Sequence, residues 1–519
     1  MSVRASNSRA AGKDYYRFIN ETWLKETEIP PDAASTNISR QIAERIEMQL
    51  IDIVRNEVVH HPDSKLSKFV DSIYHTWNNP RQTEKAVVDV LSQINAMNTG
   101  PTDIARIGVM IGRLNRLQAR SPLLMKVTTD SYDTSYYRLQ ISEYIPCVPH
   151  NHLLLDPKYE KERAAYRSFV DKVGTGFGIP NLDGYVDLEI AIAQHLPTPI
   201  EEDDTPSRYH KVSVDSLLQD YSVVPWTSIF HGLGTTLEAQ RKHEIIVSNP
   251  EYLRYFATFF GRGEKGLADL KLWLTGATLL TMGRFVSGQM YQHYFDFYGK
   301  VLKGAITPSN IHRIMLTILT THLPQMLSEK YTRKYVPTQI RDKTIDLVKR
   351  LKRAAIRRIR AAQWMTPNTQ SLAIHKVEKM GFKVAFPDAW RDESRGEDFS
   401  STQLLKNLFT VNEKDTSYAL EDIGQRERIK SEYWDSSTYE VNAFYYPDYN
   451  EMVIPAGILQ TPFYDHNKSE AWNLGGIGNV ITHEMTHGFD TEDAIMMLTE
   501  IMRRGGRRRK IKSTNVSRS

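Results

Sequence analysis

The sequence predicts a mainly α protein with a small α+β part toward its C-terminal end. Three observations carry this. From 39 to about 363, apolar residues recur at three- and four-residue steps, the period of one helix face. After Trp434 the period changes to two and β-forming residues dominate. At 475–490 an apolar helical pattern returns around His483, Glu484 and His487.

In order along the chain, residues 1–13 are small and polar and are expected to be disordered. Residues 14–38 form an N-terminal anchoring segment: Tyr15, Tyr16, Phe18, Ile19, Trp23 and Leu24 crowd one short stretch, which Pro30 and Pro31 stop. Residues 39–400 are the large helical part. There Ile42, Ile46, Leu50, Ile53 and Val54 make one apolar stripe, and Leu347, Leu351, Ala355 and Ile359 another. The uncharged runs 272–283 and 314–328 read as buried helix, being too short and too rich in Thr, Ser, Gly or Gln to span a bilayer. Residues 195–207 read as a surface loop. Residues 364–392 read as a helix carrying His375 and ended by a Phe386-Pro387-Asp388 turn, with a polar linker at 395–399. From 401 a second part begins, in which 441–460 alternates around Tyr446-Pro447-Asp448, a hairpin signature.

Composition narrows the function. At 519 residues the chain is long enough for two or more domains. Residues 491–519 hold eight Lys/Arg against three Asp/Glu, a net of +5 out of the total +4, so the body sums to −1. The basic residues of 349–360 are therefore read as the solvated face of an amphipathic helix, without interleaved aromatic residues, and no nucleic acid is expected. Cys147 is the single cysteine, which rules out an intrachain disulfide and a cysteine zinc site. The first residues lack the apolar core of a secretory signal. No membrane segment is seen, and a cytoplasmic location is the default expectation.

The chemistry concentrates in the HExxH pattern. On a helix, His483 and His487 project from one face a turn apart and can share a zinc ion, while Glu484 reaches a neighbouring water without being a ligand. A solvated helix face is the competing reading. Against it, Ile477, Val480, Ile481, Met485 and Phe489 make an apolar surface that buries the helix, and histidines on a buried helix need partners. An edge strand just before such a helix can hold a peptide by β-augmentation.

The chain resembles the neprilysin and endothelin-converting-enzyme family of zinc metallopeptidases through several motifs in order: 14–32 at the start, Trp364-Met365, Phe386-Pro387-Asp388-Ala389-Trp390, Val441-Asn442-Ala443-Phe444-Tyr445, and 475–490. The resemblance implies a large helical domain capping a thermolysin-like catalytic domain, which would start within 401–493. It implies one zinc ion held by His483 and His487, Glu484 as catalytic base, Asn442 and Ala443 binding the substrate backbone, and peptides as substrates. Tyr445 and Tyr446 are read as packing. Asp490 is placed to support His487.

The family pattern also includes a third zinc ligand from an ExxxD motif, an NxGG, and a later histidine, none of which follows here. Residues 494–519 read as a non-family basic tail. Of the downstream carboxylates Glu492 and Glu500, Glu500 is the remaining third-ligand candidate. The expectation is thus a C-terminally truncated zinc metalloendopeptidase with an incomplete site. The alternative is an inactive remnant that binds peptides or proteins. An apolar helix surface without its covering partner is expected to leave the chain marginally stable. Oligomeric state is not legible.

Overall fold

The computed structural model describes residues 12–30, 35–97, 100, 103–134, 136–179, 182–198, 201, 205–394, 396–425, 434 and 436–490. The basic stretch 491–519, with Glu492 and Glu500, lies outside the described residues, as does most of 1–13.

The architecture is mainly helical, as expected. The first helix, Tyr15–Glu26, is capped by Asp14, whose carboxylate accepts from Arg17 N at 2.9 Å. None of its residues is buried. Helix Ile38–His60 starts at the Asn37 cap and buries the expected stripe of Ile42, Ile46, Leu50, Ile53 and Val54. Helix Glu264–Met282 is apolar nearly all round and runs through the core, where Leu270, Trp273, Leu274 and Ala277 are fully covered. The uncharged run 314–328 is two helices, Ile311–His322 and Pro324–Tyr335, because Pro324 cannot continue the first but suits the start of the second. Helix Thr338–Arg360 buries Ile340, Thr344, Leu347 and Val348 and turns its basic face outward.

Two helices pack backbone to backbone. Ile104–Arg116 lies on Trp226–Leu233 at Gly112, where an added Cβ would stand 2.0 Å from the Ile229 carbonyl oxygen.

A four-stranded sheet inside the helical part departs from the sequence reading. Strands β1 (Leu124–Thr129), β2 (Tyr137–Ser142), β3 (His210–Ser213) and β4 (Glu244–Val247) lie in the order β1-β2-β4-β3, with β2 and β4 parallel. These strands are four to six residues long, too short to show a period against the surrounding helices. The β1–β2 turn is organised by Asp130, which is fully buried and accepts from Tyr132 N, Asp133 N, Tyr209 Oη, Arg138 Nε and Lys211 Nζ.

A second sheet holds β5 (Gly381–Ala385), β6 (Phe444–Tyr446) and β7 (Glu451–Pro455) in the order β5-β7-β6. The β6–β7 hairpin is the expected one, turning through Pro447–Tyr449. The stretch 364–392, expected as one helix down to a Phe-Pro-Asp turn, is helix Pro367–Lys379 followed by β5. Met380 leaves the helix in an extended conformation, and Phe382, Lys383 and Val384 then pair in parallel with β7. His375 is exposed on that helix. Among the described residues, no helix is long and apolar enough to cross a membrane.

Candidate active site

The second sheet carries the site. Strand β7 is its middle strand and is wholly buried, and among the described residues β6 is an edge strand. Asn442 is exposed immediately before β6, and Ala443 beside it is buried. The two tyrosines that follow make structural contacts: Tyr445 Oη donates to Asn450 Oδ1 at 2.9 Å, and Tyr446 Oη lies 3.0 Å from Ser436 Oγ.

The HExxH segment is helical. A π-helical turn, Leu474–Gly478, leads into α-helix Asn479–His487. Glycine is required at 476, where a Cβ would meet the Phe463 carbonyl oxygen at 2.3 Å. This close approach lets Ile477 N donate to that same oxygen at 2.7 Å. The helix then packs on β6, β7 and helix Thr338–Arg360, burying Ile477, Ile481 and Met485. The expected uncovered apolar surface is therefore largely covered; Phe489, at 40% exposure, is the part that remains open.

His483 and His487 lie on the exposed side, their ring centroids 4.7 Å apart and their planes at 81°. His487 Nδ1 lies 3.0 Å from Asp490 Oδ2. Since a carboxylate only accepts, Nδ1 carries the proton, and in the neutral form of the ring the lone pair is left on Nε2. Glu484, next to His483, is 6% exposed. Burial pushes its carboxyl above the ordinary value, against the pull of both neighbouring imidazoles. A carboxyl raised by burial beside two imidazoles is equipped to exchange a proton with water.

The fit to zinc is partial. Two imidazoles on one face match two of the three protein ligands of a catalytic zinc site. Among the described residues, no group of three or more His, Cys, Asp or Glu is placed to hold a metal. The third-ligand candidate Glu500 lies outside the described residues.

One cavity near Asn442 in the chain was not read from the sequence. A cavity of about 500 Å³ reaches Glu440 and Val441, next to Asn442, and is walled by helices Ile38–His60 and Ile311–His322. Four of its charged residues form two pairs, besides Glu440: Arg313 donates to Glu47 through Nε at 2.7 Å and Nη2 at 2.9 Å, and Arg40 meets Glu44 at 3.0 Å.

Models of peptidase family M13 match this chain twice, an N-terminal model over residues 11–387 and a second over 442–500. Endothelin-converting enzyme-like 1 of Mus musculus is 23% identical over 501 residues, covering 92% of this chain and 64% of that protein. Neprilysin-1 of Caenorhabditis elegans is 23% identical, covering 92% and 67%. The chain thus spans somewhat under two thirds of the length of the endothelin-converting-enzyme-like relatives it matches. Its fold resembles that of the Mycobacterium tuberculosis zinc metalloprotease Zmp1 solved with an inhibitor, with a TM-score of 0.86 at 24% identity, over 95% of this chain and 75% of that one.

Proposed function

Because the chain belongs to peptidase family M13, the neprilysin and endothelin-converting-enzyme family, we propose that it is a zinc metalloendopeptidase acting on extended peptides. The observation that carries this reading is a buried Glu484 between two exposed histidines, on a helix packed against β6 and β7. The peptide adds alongside β6 by main-chain hydrogen bonds. The Asn442 side chain and the Ala443 backbone fix its register, and the cavity at Glu440 and Val441 takes a neighbouring side chain. Zinc, when bound, supplies Lewis acidity for the carbonyl under attack. His483 and His487 hold it, and Asp490 orients the His487 ring. Glu484 takes the proton of the attacking water and returns it to the leaving amine, which its raised carboxyl favours.

A second reading, peptide binding without hydrolysis, is favoured by the two-ligand site among the described residues. One experiment separates them. Zinc stoichiometry and cleavage of a quenched fluorescent peptide are measured for this chain and for Glu484→Gln. One zinc per chain and cleavage lost in the variant support the peptidase. Peptide retention with no cleavage difference supports the binding module.

A further inference from the structure

A second cavity, of about 480 Å³, lies in the helical part between the loop after helix Ile104–Arg116, the β1–β2 hairpin, and helix Leu404–Asp422. None of its walls comes from β6 or from Asn479–His487. Much of its lining is apolar, including Leu124, Val127, Leu139 and Leu420. Against that background three cations face it, Arg120, Lys126 and Arg284, with Asp415 as the one carboxylate in its wall.

The two arginines have no anion. Among the described residues neither guanidinium forms an ion pair or donates a hydrogen bond, and Arg120 Nε is buried without a partner. Arg284 rests over the Phe285 ring at 4.5 Å. Arg284 is exposed, and the buried Cys147 thiol, with the Tyr144, Tyr298 and Tyr185 hydroxyls beside it, holds the Arg120 guanidinium above its ordinary value. Glu189, buried in the same region, spends its acceptor capacity on the Tyr144, Tyr166 and Tyr185 hydroxyls and on Cys147 N.

Arg120 is also held in place. Gln118 takes a left-handed φ of 52°, which turns the chain after the helix. Arg120 N then donates to Thr281 Oγ1 at 3.3 Å. Asn412 and Thr416 pin the same loop by donating to Leu117 O at 2.9 Å and Arg116 O at 3.1 Å. Arg120 is half-buried with its Nε covered and unpaired, while Arg284 is exposed, and rigid guanidinium forks match the oxygens of carboxylate and phosphate.

We propose that this cavity binds an oxyanion carried on an apolar group, with Arg120 and Arg284 on its oxygens and Leu124, Val127 and Leu139 against its body. The shared chemistry admits a carboxylate or a phosphate monoester. The cavity volume falls within the range of small-molecule sites.

The test is calorimetric titration of the whole chain with 4-phenylbutyrate, phenyl phosphate, inorganic phosphate and neutral 4-phenylbutanol. One of the two apolar anions is expected to bind at least about tenfold more tightly than the alcohol and than inorganic phosphate. Arg120→Met and Arg284→Met should each weaken that binding by about tenfold or more. The anion that binds identifies the headgroup. Phenylglyoxal labelling of the unaltered chain gives a measurement independent of variant folding, and the bound anion should protect Arg120 and Arg284. Failure of both anions to bind, equal binding by the alcohol, or unchanged labelling of both arginines would overturn the proposal.

Discussion

His487 and Asp490 meet through Nδ1 and Oδ2 at 3.0 Å, just past the end of helix Asn479–His487. The contact selects the tautomer that offers Nε2, and under the proposed function Asp490 supports a zinc ligand without touching the metal. Asp490→Asn is expected to weaken zinc uptake by roughly ten- to a hundredfold, measured by competition with a chromophoric chelator. Unchanged affinity would remove Asp490 from the site.

The fully buried Asp130 carries the β1–β2 turn and meets Arg138 at 3.1 Å and Lys211 at 2.9 Å. Burial alone would raise its carboxyl, but its donors outweigh that and hold it below the ordinary value. A depressed carboxyl stabilises the fold above its unfolded-state pKa, and that contribution is lost as the pH falls through the folded-state value. Asp130→Ala leaves Arg138 and Lys211 with Glu244 alone as their carboxylate and is expected to cost about 3 kcal/mol at neutral pH, read by urea unfolding, with a smaller difference in acid.

Glu393 has the opposite sign. It is 2% exposed, accepts from Gln325 N at 2.8 Å and Met326 N at 2.9 Å, and is pushed up to about 7 by burial. The folded state therefore holds a proton that the unfolded chain has released, and stability falls as the pH rises from about 4.5 to about 7. The drop from this one group is on the order of 3 kcal/mol. Glu393→Gln should flatten that part of the stability profile; an unchanged slope would show that Glu393 titrates normally.

Gly112 and Gly261 are expected to respond oppositely to alanine. A Cβ at Gly112 would stand 2.0 Å from Ile229 O and 2.6 Å from Leu233 N, both backbone atoms. Gly112→Ala should cost roughly 3 kcal/mol by overpacking. At Gly261 nothing lies within 4 Å of an added Cβ. Gly261→Ala should leave stability unchanged or raise it by up to about 1 kcal/mol. Equal effects in thermal unfolding would contradict the close helix contact.

The sequence by itself determined what short-range periodicity and side-chain type encode. The stripe of Ile42, Ile46, Leu50, Ile53 and Val54, the hairpin around Pro447, and the one-turn spacing of His483 and His487 follow from residues a few positions apart. Tertiary structure alone decided the rest. Strand β2 pairs Ile141 with Val247, more than a hundred residues away, and each strand is too short to announce itself. Glu484 is buried while its neighbour His483 is exposed because β6, β7 and helix Thr338–Arg360 cover one side of their helix. The cavities at Val441 and Arg120 are spaces between elements far apart in the chain, so no local pattern records them.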